Sequence, residues 1–512
     1  MEYFKIFLAF LPIIWLLLSL GVFGMPSHRA SLIGLGLSAI IAFSAFSFPL
    51  VSIMQASVEG IMLALFPIIW VIISALFVYN ITVKTGSMNN IKSMLSVLSD
   101  DRRIQALILA FGFGGFLEAV AGFGTAVAIP ASILAAMGFN PILAATVCLV
   151  ANTIPVAFGV LGIPIITLAQ VTSLPIDKLA LNTALQLTPF VILLPPVIIY
   201  AVTGSFKNIK GVIGVSMASG LAFAIGQTVV TVWVGPELAA VVGSLSAMAT
   251  TIIWVYFKPV KNVWRFPNEE KSIKETQKIT LSKAIRSWSP YMLILFIIFV
   301  IKFVPIFGFL NEYPFTLHQQ FYFGDGGKAQ TFQLLNGGGT ILFISAILGG
   351  FIQRASFKEI MATFWDTIVQ VKKTIITVIS IVVVAKLMQY GGMVNTIAVS
   401  IVYVSKDFYP LIAPLIGAIG TFVTGSDTSS NVLFGNLQKQ AAIQLGINQE
   451  WLTAANASGA TAGKMISPQS ISIATASTGL SGSEGKIFAT TIKYCLAYVI
   501  LMGLLVYAFS FR

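Results

Sequence analysis

The chain has 512 residues, of which 57% are hydrophobic and only 9% charged, and its formal net charge is +12. Soluble domains carry about 25% charged residues, so an aqueous globule is excluded and lipid must solvate much of the chain. The excess Lys and Arg lies in short segments between apolar runs, which fits the positive-inside distribution and excludes nucleic-acid binding.

A crossing helix needs roughly 20 apolar residues. Such runs predict helices over 4–24, 31–50, 58–80, 183–203, 211–231, 236–257, 289–310, 335–352, 374–390 and 488–511. The first run is too long for a signal sequence and lacks a small-x-small cleavage site, so it reads as a retained helix. The connecting segments set the orientation. The 258–287 linker holds Lys258, Lys261, Arg265, Lys271, Lys274, Lys278, Lys283 and Arg286 and reads as cytoplasmic. Segments 81–103 (Lys84, Lys92, Arg102, Arg103), 204–210 (Lys207, Lys210) and 353–373 (Arg354, Lys358, Lys372, Lys373) read the same way. Segment 311–334 has only Lys328 against Glu312 and Asp325 and reads as external. These assignments agree when both termini lie outside.

Two stretches do not fit simple spans. Residues 104–138 are too long for one helix and short for two. Gly112, Gly114, Gly115, Gly122 and Gly124 crowd their middle beside a lone Glu118. Glycine allows a turn that other residues resist, which predicts a re-entrant hairpin. Residues 408–443 repeat the design, with the turn at Thr421–Ser430. Each hairpin precedes a span with a broken centre. One is 141–173, interrupted around Asn152–Pro164; the other is 451–478, interrupted around Asn456–Pro468. Both fit Ala-Asn-x6-Gly-x4-Pro, offset by 304 residues, and the tips Gly122-x-x-Thr125 and Gly425-x-x-Thr428 are offset by 303. Seven full crossings lie between the hairpins, an odd number, so the two halves are inverted. The expected fold is an all-α polytopic membrane protein of about 12 full crossings plus two re-entrant hairpins. Its halves are 1–257 and 288–512, joined by the 258–287 linker, and the final helix is 488–511. Inverted repeats with discontinuous helices belong to secondary transporters.

The strings GFGGFLEAVAGFGTAVAIPASILAAMGFNPILAA (112–145), NTIPVAFGVLGIPI (152–165), GTFVTGSDTSSNVLFGNLQ (420–438) and ASGATAGKMISPQSISIA (457–474) resemble the L-lactate permease family. The resemblance runs over essentially the whole chain. It implies uptake of L-lactate, with D-lactate and glycolate as further substrates, in symport with a proton across a bacterial plasma membrane. Through a wider superfamily of ion transporters it also implies an elevator-type mechanism. The expected partners are a small monocarboxylate, a proton and the lipid bilayer. The chain is compatible with a homodimer, and no cofactor or metal set is expected. Sodium-coupled transport of a related carboxylate is the alternative. A membrane enzyme is disfavoured because His28 and His318 fall in expected loops, and Cys148 and Cys495 show no metal or disulfide spacing.

Ionisable groups inside a membrane are costly and are functional candidates. Asp427, at the second hairpin tip, is either the proton carrier or a helix N-cap. Glu118 is a second proton site, the partner of a lysine, or a group that merely hydrates its hairpin turn. Lys464 either receives the lactate carboxylate or neutralises Asp427. Asn152, Thr153, Asn456, Ser458, Thr461, Ser467 and Gln469 at the breaks, with Thr125, Thr428, Ser429 and Ser430 at the tips, either line the substrate or satisfy exposed backbone. Glu59 reads as interfacial, and Lys386 as snorkelling to the outer interface.

Overall fold

The computed structural model describes every residue except 1, 22, 24, 97, 123, 267–279, 328, 481, 482 and 512. Lys271, Lys274, Lys278 and Lys328, expected in connecting segments, lie outside the described residues. The chain is nearly all helical. α1 (Glu2–Gly21) packs on α2 (Ser27–Ala45). α3 (Leu50–Leu63) passes through a wider turn at Ala64–Ile69 into α4 (Trp70–Lys84), and short α5 (Ser87–Ser96) follows. The first hairpin rises through α6 (Arg102–Ala106) and α7 (Gly114–Val120) and returns along α8 (Thr125–Ala136). Its reversal uses Gly122 and Gly124, both at positive φ. The first broken span comprises α9 (Pro141–Ala151) and α10 (Gly159–Thr172). Then come α11 (Ile176–Thr203), α12 (Ile213–Trp233), α13 (Pro236–Phe257) and α14 (Leu281–Phe303).

Antiparallel strands β1 (Thr316–Gln319) and β2 (Gln330–Gln333) precede α15 (Gly338–Ile352), α16 (Phe357–Tyr390) and α17 (Met393–Ser405). The second hairpin is α18 (Tyr409–Thr424) and α19 (Asp427–Leu445). The second broken span is α20 (Gln449–Ile466) and α21 (Pro468–Thr478), and α22 (Glu484–Ser510) closes the chain. Among the described residues, 11 helices are long and apolar enough to cross a membrane. Large apolar side chains such as Trp233, Tyr256 and Phe296 are exposed, as a lipid-solvated surface requires. These features mark a multi-pass membrane protein.

The structure differs from the sequence reading in five places. The 311–334 segment carries the β-ribbon, so His318 is in a strand rather than a loop. His28 is in the first turn of α2. The 353–373 segment is helical from Phe357, because Ser356 and Glu359 form a reciprocal capping box: Glu359 N–H donates to Ser356 Oγ at 3.3 Å and Ser356 N–H donates to Glu359 Oε2 at 2.8 Å. The second broken span is interrupted only at Ser467, since α20 runs unbroken past Asn456 to Ile466.

Glu59 and Lys386 are the largest departure. Neither reaches an interface: their side chains are 0% and 1% exposed and form an ion pair at 2.9 Å. Tyr390 OH donates to the same Glu59 oxygen at 2.8 Å, and Gln330 Nε2 donates to it at 3.2 Å. The helices can approach here because Gly60 has no side chain; a Cβ on it would lie 2.8 Å from Val383 Cα. Some of the basic residues assigned to loops are likewise structural. Arg103 is buried and pairs with Asp101 at 2.6 Å. It also donates to the carbonyls of Asn208 and Asn262, which ties the first hairpin to the α11–α12 connection and the linker.

Candidate functional site

Three chain interruptions meet at one place. In the first broken span, Val160, Leu161 and Gly162 adopt positive φ, so the chain unwinds in the first turn of α10. In the second, Ser467 is extended, and its hydroxyl caps α21 by accepting from Ser470 N–H at 3.2 Å. At the second hairpin tip, Gly425 ends α18 at φ 71° and Ser426 caps α19, accepting from Ser429 N–H at 3.2 Å. The capping role is thus filled by Ser426, and Asp427 is left for other work. Neither Asp427 carboxylate oxygen has a hydrogen-bond partner among the described residues, although the side chain is buried. Its place in the first turn of α19 puts the positive end of the helix dipole beside it.

A cavity of about 350 Å³ opens where these breaks meet α16. Asp427, Glu118 and Lys464 all face it. Glu118 reaches from α7 to the first broken span: Oε1 lies 3.1 Å from where a Gly159 side chain would start, and Oε2 has no partner among the described residues. Lys464 occupies the last turn of α20, where the carbonyl end of the helix favours a cation. Its ammonium donates to Gly425 O at 2.9 Å, so it braces the hairpin tip. An ammonium has three donors, and the other two remain for an anion. Lys464 interacts electrostatically with both carboxylates. Gln469 packs under Gly425, and Thr428 and Ser429 also line the cavity.

Residues 5–511 match the L-lactate permease family. The chain belongs to that family. It is 43% identical over 454 residues to an L-lactate permease of Streptococcus iniae, covering 88% of this chain and 94% of that protein. It is 34% identical over 534 residues to the glycolate permease GlcA of Escherichia coli strain K12, covering 97% and 94%. Among solved structures, MtrF of Neisseria gonorrhoeae, described as one of a class of antimetabolite efflux pumps, is similar in fold. It matches with a TM-score of 0.50 at 15% identity, covering 92% of this chain and 86% of that one.

Several polar residues expected to line the permease site sit elsewhere. Asn456 donates to Asn431 Oδ1 at 2.9 Å and accepts from Gln438 at 3.3 Å. Ser458 donates to Gln186 Oε1 at 2.8 Å, and Thr461 to Ser458 O at 2.7 Å. The Asn456 and Ser458 bonds fasten α20 to α19 and α11, and the Thr461 bond stays within α20. Ser430 donates to Gly417 O, Thr125 to Gly122 O, and Ser467 to Ser470 Oγ. None of the six lines the cavity. Asn152 and Thr153 are buried in the first break, Asn152 beside Glu118, and are likewise set back from the cavity. The sequence reading missed His28 and Lys373, which do line it. Lys373 was hidden by the assignment of 353–373 to a loop; the Ser-x-x-Glu box at 356–359 is the signal that reveals the helix.

Proposed function

We propose that this protein takes up L-lactate, and with it D-lactate and glycolate, in symport with a proton, as a transporter and not an enzyme. The names of its relatives support the substrate class. The buried Asp427 carboxylate, unpartnered at the cavity, carries the coupling assignment. Asp427 takes the coupling proton, Glu118 is the second acidic group of the pair, and Lys464, with Thr428, Ser429 and Gln469, receives the substrate. An unbalanced charge in a poorly solvated site costs several kcal/mol. With the proton on Asp427, Lys464 is released to pair with the substrate carboxylate. With neither aboard, Lys464 stays across the cavity from the anions Asp427 and Glu118 of its own protein. Taking up either alone changes the buried charge by one unit and taking up both leaves it unchanged, so proton and substrate cross together. The hairpins and broken spans form the moving part, and they carry the site past the long arms α3–α4 and α16.

The test is uptake of labelled L-lactate into proteoliposomes with proton and sodium gradients imposed separately. Accumulation should follow the proton gradient and ignore sodium. Sodium-dependent accumulation at a constant pH gradient would replace this reading with a sodium-coupled carboxylate symporter.

A further inference from the structure

The sequence places a single cation, Lys464, near the breaks. The structure adds a second one on α16. Lys373 stands midway along this helix of 34 residues, which is about 50 Å long. Phe357, Met361, Trp365 and Val369, spaced four residues apart, expose a continuous apolar stripe. That stripe suits a surface solvated by lipid and runs beside exposed Lys358, Glu359, Asp366 and Lys372. Lys373 stands roughly 25 Å from either helix end. Its ammonium has no acidic partner within ion-pair distance among the described residues, and it faces the same cavity as Asp427, Glu118 and Lys464.

We propose that Lys373 is a substrate-binding residue that meets the carboxylate of the transported monocarboxylate from the α16 wall. This rests on the carboxylate-transport reading above. Charge balance supports it. Ionised Glu118 and Asp427 outweigh Lys464 by one negative charge; Lys373 brings the cavity to neutrality when empty. Adding one monocarboxylate and one proton keeps it neutral, whereas adding either alone does not. The position has a further consequence. α16 packs on α2, α3 and α4 and also meets α19, the hairpin helix that carries Asp427, while Lys464 belongs to the broken span. A carboxylate held between Lys373 and the hairpin tip bridges two groups of elements, so binding is tightest in the arrangement seen here. Movement of the hairpin away from α16 removes one of its cations and favours release.

The test compares L-lactate uptake kinetics of Lys373→Gln, Lys373→Arg and Lys373→Cys with the parent in proteoliposomes. Lys373→Gln should raise KM about tenfold or more, as expected for the loss of one charge-assisted hydrogen bond. Lys373→Arg should keep most of the affinity. Lys372→Gln, next in the chain and not part of the cavity wall, should match the parent. Lys373→Cys should be impaired like Lys373→Gln and recover when aminoethyl methanethiosulfonate restores an ammonium; the native Cys148 and Cys495 are buried from the reagent. Recovery separates a charge requirement from misfolding. An unchanged KM in Lys373→Gln, or no recovery in the modified Lys373→Cys, overturns the proposal. Absence of lactate uptake by the parent overturns the transport reading instead.

Discussion

Replacing Lys386 by Met removes one partner of a fully buried ion pair while keeping the length of the side chain. At 2.9 Å and an effective dielectric of about 20, the Coulomb attraction is roughly 6 kcal/mol. Desolvation of two charges cancels most of that, so the intact pair is nearly neutral for stability. A broken pair is different, because Glu59 keeps its desolvation cost and loses its cation. Tyr390 and Gln330 still donate to it and soften the loss. Lys386→Met and Glu59→Gln should each destabilise the protein by about 3–5 kcal/mol. The double variant Glu59→Gln/Lys386→Met should return to within about 1–2 kcal/mol of the parent, since no unpaired charge remains. The assay is unfolding in mixed micelles titrated with SDS, run as a double-mutant cycle, with lactate uptake measured alongside. The double variant should transport, because this pair is not among the residues that line the cavity. Losses that simply add, with a coupling below about 0.5 kcal/mol, would refute the reasoning.

Asp427→Asn should abolish uphill accumulation of lactate yet retain lactate exchange, because a neutral amide mimics the protonated acid. Accumulation equal to the parent would shift the coupling role to Glu118. Lys464→Gln should weaken lactate binding in both accumulation and exchange; an unchanged KM in either assay would limit its role to bracing Gly425. Gly425→Ala should impair uptake and lower thermal stability, since φ is 71° and Gln469 occupies the space of the new methyl. The strain of the left-handed backbone alone costs about 1–2 kcal/mol. Gly485→Ala, which meets nothing within 4 Å, is the control and should be silent. Cysteine at Lys261 should react with impermeant reagents only from the cytoplasm, and cysteine at Asp325 only from outside. Labelling of position 261 from outside would overturn the inverted arrangement.

The apolar runs were legible in the sequence because lipid exposure demands long stretches with few charges, whatever the neighbouring helices do. The glycine-rich turns were legible for a related reason: Gly122 and Gly425 take positive φ, which side chains resist. Asp427, Glu118 and Lys464 stood out because a charge in an apolar run needs an explanation. What such a charge pairs with is a tertiary matter. Glu59 and Lys386 are 327 positions apart in the chain, and only the close approach of α3 and α16 at Gly60 turns two apparent interfacial residues into a buried pair. The polar residues of α20 behave in the same way. Asn456, Ser458 and Thr461 resemble a binding surface in one dimension, but Asn431, Gln186 and Tyr498 of neighbouring helices occupy their hydrogen bonds. Lys373 shows the converse. Hydropathy placed it in a loop because the residues around it are polar, whereas the cap at Ser356 and packing against α2, α3 and α4 continue the helix through them. Hydropathy responds to solvation averaged along the chain, and it does not resolve which side of a helix meets lipid, protein or cavity. That direction is set by the packing of several helices at once, so it was decided only in the tertiary structure.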